Sequence, residues 1–371
     1  MEHSFTPRIK EILSDCFGSS SDDIYEKSPL LQYLNIKTKS ASRGSKARSS
    51  FANLYAVYVL VEDCIKEGFV NSGDYSGCEG AQFAALFKRQ RELPFGQKLQ
   101  NHALNNRMNE EYKKYFQQSE YIPILRNLES KRYWINENLL KIKLGGTDHC
   151  IAESVIRIID AYVATKQDMF QSFIETCEKL KELSNEDHDE LKKFVIDRIA
   201  PNVDARVFEI VSYSILKFFY GDQVVYFGFS MDSIEEQNLV LYKTGRTNAN
   251  DGGIDFVMRP LGRFFQVTET LDAKKYFLDI DKIEKFPLTF VIKSEEDVHT
   301  INEKLRAAAQ KTYSVKSVVD KYMSCIEEVI NIPILKQRFD SVVASGNSSK
   351  VLDEIITQSK VEFNIEDTVE D

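Results

Sequence analysis

Asp255, Gln266 and Thr268 are the residues whose types and spacing point most directly to chemistry, and they lie in a polar, glycine-containing loop, Thr244 to Gly253, and the hairpin it feeds. If Arg259 to Gly262 form a four-residue loop, Met258 faces Arg263, Phe256 faces Phe265, and Asp255 lies across from Gln266. Directly opposed residues project from one face of a sheet, as do residues two apart on a strand. Asp255, Gln266 and Thr268 are therefore expected on one face, with Ile254, Phe256, Phe265 and Val267 on the other as a core surface. A strand-end carboxylate opposite a second oxygen suits Mg²⁺, which prefers hard oxygen ligands and keeps several waters. Such an ion stabilises charge on a phosphoryl transition state and acidifies an attacking water. Gln266, an amide among Phe264, Phe265 and Val267, needs a polar partner of some kind. A loop one residue longer or shorter would flip the second strand and bring Val267 and Glu269 to that face, which keeps Glu269 as an alternative ligand. Asp251 is another, although Asp-Gly-Gly reads first as a turn.

These side chains need elements to position them, and the hydrophobic period changes near Pro201. Asp204 is placed to cap a helix running to about Tyr220, with Val207, Ile210, Val211 and Phe218 on one stripe and Gly221 and Asp222 at its end. Val224 to Phe229, Leu239 to Lys243, Gly253 to Met258, Phe264 to Glu269 and Leu288 to Lys293 are short, rich in β-branched and aromatic residues, and predict strands. Upstream, Ala52 to Glu67 and Ala152 to Phe170 carry apolar side chains at helical spacing. The pattern returns to helix from about Glu295. Gly18 to Asp23 and Thr38 to Ser50 read as loops, and the acidic end from Ile365 as a solvated tail. The order predicts an α+β protein, a mixed sheet flanked by helices behind a mostly helical N-terminal region. The expected division is 1–200, 201–299 and 300–371.

The chain has 371 residues and a formal charge of -9, an average that hides local basic clusters. From Lys37 to Arg48 five basic residues (Lys37, Lys39, Arg43, Lys46 and Arg48) occur with no acidic one, a composition suited to phosphate contacts. A second cluster holds Arg89, Arg91, Lys98, Gln100, Asn101, Asn105 and Arg107, the guanidinium and amide groups that read guanine and adenine edges. Arg246, Asn248 and Asn250 add similar groups to the loop beside Asp255. No apolar run approaches the roughly 20 residues of a membrane span, and Met1 to Lys10 lacks a secretory pattern, so a cytoplasmic protein without a membrane partner is expected. The six cysteines, with no CxxC spacing, are expected to be free thiols. Asp148-His149-Cys150 has no second cluster to complete a metal site, and neither a P-loop nor Gly-x-Ser-x-Gly occurs.

A strand-borne Asp, followed on the next strand by acid-x-Lys and preceded by a helix carrying Glu, is the layout of PD-(D/E)XK nucleases. Residues 205–293 resemble it, and the chain as a whole looks similar to restriction endonucleases. By that likeness Asp255 matches the metal-binding Asp. Gln266 and Thr268 stand where the family has Glu or Asp and then Lys, and Glu209 stands where some members supply a helix carboxylate. Thr268 lacks the charge of that Lys, and Lys243, at the end of the preceding strand, is placed to supply it. The resemblance implies a type II restriction endonuclease: Mg²⁺-dependent, site-specific hydrolysis of double-stranded DNA, with Asp255, Gln266 and Glu209 at the metal and the N-terminal helices reading sequence. A homodimer follows from the two-fold symmetry of palindromic DNA, with helices from Thr300 onward as a candidate interface. The alternatives are a repair or nicking nuclease of the same fold, and a DNA-binding protein whose site has decayed.

Overall fold

A computed structural model describes residues 2–41, 47–72, 75, 77–97, 99–183, 188–244, 254–269 and 271–363. The chain divides into two compact units, Met1–Gln171 and Ser172–Asp371. It is an α+β protein, and among the described residues no helix is long and apolar enough to cross a membrane.

The first unit contains helices α1 (Thr6–Phe17), α2 (Ser21–Lys27), α3 (Pro29–Thr38), α4 (Ala47–Lys66), α5 (Phe69–Ser72), α6 (Phe83–Glu92) and α7 (Met108–Tyr115). Its short strands are β1 (Ala81–Gln82), β2 (Ile124–Asn127), β3 (Arg132–Ile135), β4 (Lys141–Leu144) and β5 (Thr147–Cys150), and α8 (Ala152–Leu183) runs from it into the second unit. The stripe expected on α4 is in the core: Leu54, Val57, Tyr58 and Val61 are all buried. Two expectations change here. Residues 18–23, read as a loop, form a 3₁₀ turn and the start of α2, where Asp22 and Asp23 sit in the first turn and favour the positive helix end. The β4–β5 hairpin lies in a region read as helical; Gly145 and Gly146, both at positive φ, form its two-residue turn.

In the second unit follow α9 (His188–Asp197), α10 (Ala205–Gly221), β6 (Val224–Phe227), β7 (Glu235–Asn238), β8 (Val240–Lys243), β9 (Phe256–Arg259) and β10 (Arg263–Thr268). The chain continues through α11 (Ala273–Lys282), β11 (Leu288–Ile292), α12 (Val298–Thr312), α13 (Lys316–Ser324), β12 (Ile326–Ile330), α14 (Ile332–Ala344) and α15 (Ser348–Phe363). Five strands form a mixed sheet in the order β12-β11-β10-β9-β8. β8, β9 and β10 are antiparallel neighbours, while β11 and β12 run parallel to β10. Asp204 caps α10 as expected, accepting from the Arg206 N–H at 2.8 Å.

Strand alternation sends two apolar sets to opposite faces. Phe256 and Phe265 pair across the hairpin and meet α10, where Tyr213 packs 5.1 Å from Phe256 and Tyr220 packs 5.9 Å from Phe265. The other face carries Phe264, Leu288, Phe290 and Ile292 against α11 to α13, with Tyr276 and Phe290 centred 4.4 Å apart.

Strand β12 falls where helix was expected, because the adjacent Glu327 and Glu328 interrupt its apolar alternation. In the sheet Glu328 is bound by the guanidinium groups of both Arg263 and Arg338, which also stack near Tyr220. Removing that carboxylate leaves two half-buried cations facing each other, so Glu328→Ala should lower stability by about 2 kcal/mol. Urea unfolding measures it, and a loss below about 0.5 kcal/mol would mean that solvent already screens the pairs.

Candidate active site

Lys243 ends β8, Asp255 precedes β9, Glu269 follows β10 and Lys293 follows β11, so antiparallel and parallel pairing bring all four to one end of the sheet. The N-terminal half of α10 packs over the same end. There buried Glu209 and half-buried Lys243 form an ion pair at 2.9 Å. Lys243 opposes Phe256 in the sheet register, which sets it on the face that α10 covers. Lys293 is buried as well; its ammonium donates to the Glu269 carboxylate and, at 2.8 Å, to the Val203 carbonyl just before the Asp204 cap. Its backbone N–H donates to the Thr268 carbonyl at 2.9 Å and carries the parallel ladder one residue past β11.

The hairpin has the register expected of a four-residue loop, with Met258 opposite Arg263 and Phe256 opposite Phe265. Pairing stops there, one residue short of Asp255 and Gln266. The Asp255 N–H donates to the Phe265 carbonyl at 2.8 Å, and its carboxylate accepts the Val267 N–H at 2.6 Å. Asp255 is thereby anchored to the second strand by its side chain, at the mouth of the loop from Thr244.

Gln266 and Thr268 are placed on the far face from Glu209. Gln266 opposes Phe290 and Thr268 opposes Ile292, both on the α11 side. Thr268 is buried beside Tyr276, whose phenol burial pushes up. Gln266 donates to the Val267 carbonyl at 3.2 Å, but its buried Oε1 has no hydrogen-bond partner among the described residues. The carboxylate on the α10 side with Glu209 is thus Glu269, reached without the register shift that sequence reasoning required for it. Lys293 was overlooked; the signal was a lysine directly after the largely apolar run Leu288–Ile292.

Of the residues expected to meet DNA, Arg43, Lys46, Lys98, Arg246, Asn248 and Asn250 lie outside the described residues, as do Asp251 and the side chain of Arg48. Lys37 is buried in an ion pair with Glu111 at 2.7 Å, and Asn53 donates to the other oxygen of the same carboxylate, so Lys37 serves the fold. Arg89 is held bidentately by Glu62, at 2.8 and 2.7 Å. Arg91 donates to the Gln97 carbonyl at 2.7 Å and lies over the Phe87 ring. Gln100, Asn101, Asn105 and Arg107 are exposed, the last two on a π-helical turn, Ala103–Arg107, that leads into α7. Asn105 accepts from Arg126 through both its backbone and its side-chain oxygen.

No group of three or more His, Cys, Asp or Glu among the described residues is arranged to hold a metal. A hard divalent cation needs less, one or two carboxylates with water completing its shell. Asp255 and Glu269 are oxygen donors of that kind at one sheet end, whereas the orphaned Gln266 oxygen is buried on the far face. Compared with known proteins, the chain matches no family model, no curated protein and no solved structure.

The Glu209–Lys243 pair yields a stability test. Truncating one partner strands the other charge in the interior, so Lys243→Met should destabilise by about 3 kcal/mol. Adding Glu209→Leu should restore most of that loss, because two apolar side chains then replace two charges. Denaturant unfolding of both single variants and the double would have to show this non-additivity; simple addition of the losses would contradict the coupling.

Proposed function

We propose that the chain is a Mg²⁺-dependent endonuclease that hydrolyses phosphodiester bonds in double-stranded DNA at specific sites, in the manner of type II restriction endonucleases. The observation that carries the reading is the ordered series α10, β8, the β9–β10 hairpin, α11 and β11, which gathers Glu209, Lys243, Asp255, Glu269 and Lys293 at one end of a mixed sheet. Asp255 and Glu269 are the residues that would hold Mg²⁺, with Glu209 in support. When bound, the ion neutralises phosphate charge and lowers the pKa of a water. The chain's own part is electrostatic and positional. The Val267 N–H fixes one oxygen of Asp255, and Lys293 fixes Glu269, so neither carboxylate has to reorganise when a phosphate arrives. Lys243 and Lys293 supply the positive charge that Thr268 lacks, from the ends of β8 and β11. In the first unit the exposed Gln100, Asn101, Asn105 and Arg107 are the groups assigned to base edges.

One observation favours a second reading. Both lysines are closed on carboxylates of the same chain, Lys243 on Glu209 and Lys293 on Glu269, an arrangement that also suits a protein that binds DNA without cutting it.

Digestion of a sequenced phage genome with Mg²⁺, followed by sequencing of the ends, separates the two. Discrete fragments with a common terminal sequence are expected. Asp255→Ala should cut at least about 10³-fold more slowly while retaining DNA binding in a gel-shift assay. Intact DNA from the wild type under conditions where it binds would favour the non-cutting reading. Gln266→Leu tests its place on the far face: a core amide with an orphaned oxygen predicts unchanged or higher stability with full cleavage, and impaired cleavage would return Gln266 to the metal.

A further inference from the structure

Strands β6 and β7 form a two-stranded sheet of their own, separate from the five-stranded one. An isolated pair of strands is marginal in water, and this one ends in large apolar side chains: Phe229 is 98% exposed, Met231 85% and Tyr226 74%. Val224 and Ile234 add to the same arm. Its tip is built rather than slack. Ser230 and Ser233 form a reciprocal capping box, with the Ser230 N–H donating to Ser233 Oγ at 2.9 Å. Gly228 packs so closely that a Cβ there would come within 2.4 Å of the Ser233 carbonyl oxygen. Phe229 and Met231 are therefore presented by a shaped turn, as anchors for a pocket are.

Charge decides what covers them. From Asp222 to Tyr242 there is no lysine or arginine, while Asp222, Asp232, Glu235 and Glu236 are acidic. Phosphate backbones and anionic lipid surfaces are repelled by such an arm, which leaves a protein partner. The acids of the paired strands are confined to β7. β6 is Val-Val-Tyr-Phe, uncharged, and its only partner among the described residues is β7. An uncharged strand edge of this kind pairs with a like strand unless it is protected. Antiparallel pairing of β6 with β6 of a second copy, Val225 at the two-fold axis, keeps Glu235 and Glu236 on the outer strands and brings Val224 and Tyr226 of both copies onto one face. Tyr226, Phe229 and Met231 offer roughly 500 Å² per copy, much of the ~800 Å² per partner typical of a stable interface.

We propose that the β6–β7 arm is the surface through which a second copy of this chain docks, giving a two-fold dimer. The inference does not depend on DNA cleavage, since it is read from oligomeric state. Sedimentation velocity on the full chain, across a range of concentrations, should show a dimer. Phe229→Ser with Met231→Ser, and separately Tyr226→Lys, should each weaken dimerisation at least about 100-fold. All three positions are exposed, so circular dichroism and melting temperature should stay at wild-type values and report that any dissociation is not unfolding. A wild type that is monomeric at every concentration overturns the proposal. So does a dimer that survives both sets of substitutions, or a tip variant that keeps its dimer and loses DNA binding instead.

Discussion

A charge taken out of water is costly unless an opposite charge or several hydrogen bonds meet it, and the second unit draws two lysines from water at one end of its sheet, Lys293 buried and Lys243 half-buried. Lys243 is met by Glu209 across the α10–β8 contact, and Lys293 by Glu269 and the Val203 carbonyl. These contacts tie the start of α10 to the ends of β8, β10 and β11, three strands whose own ladders do not involve that helix. The register of the sheet and the axial position of α10 are coupled through them. A slip of α10 by one turn, or of β8 by one residue, would leave an ammonium in the interior with nothing to accept from it.

The rest of the sheet follows ordinary apolar logic. Alternation divides Phe256 and Phe265 from Phe264 and Phe290, and helices cover both faces. At the opposite end of the strands, Glu328 draws Arg263 and Arg338 together over Tyr220, so the two ends differ in character. One holds a closed network of side chains. The other holds Asp255 and Glu269, carboxylates positioned by a backbone N–H and a lysine beside the Thr244 loop. Tyr213 joins the two regions, its phenol pushed up to about 12 by burial and donating to the Leu241 carbonyl at 3.2 Å.

The proposed functions of the two features are separable in physical terms. Phosphate chemistry needs charges held in fixed positions with little reorganisation, which buried ion pairs and a side chain clamped to a backbone N–H supply. Docking of a second copy needs apolar area on an ordered support, which the capped tip of the β6–β7 arm supplies. Both follow from the same short stretch of chain, since β7 leads through Leu239 into β8 and so to Lys243.

Much of the local structure was legible in the order of residues alone. The Asp204 cap, the stripe of α10, the four-residue hairpin loop and its pairing all follow from short-range rules of capping, period and turn geometry. The identity of the face did not. Asp255, Gln266 and Thr268 share a parity, yet Gln266 and Thr268 turn toward α11 and pack near Tyr276 and Phe290, while Glu269 and the overlooked Lys293 meet at the start of α10. Parity along a strand says which side chains go together but not which helix will cover them, and that choice depends on contacts between segments distant in sequence. The same limit explains β12, whose paired glutamates look unfit for a strand until Arg263 and Arg338 arrive from elsewhere in the chain. Arg89 and Lys37, basic in sequence, were spoken for by Glu62 and Glu111. The sequence determined the strands of the β9–β10 hairpin, its turn and the presence of an acidic strand end; only the tertiary structure decided which charges are neutralised and which side chains face one another, because a partner's position is a property of the packed chain.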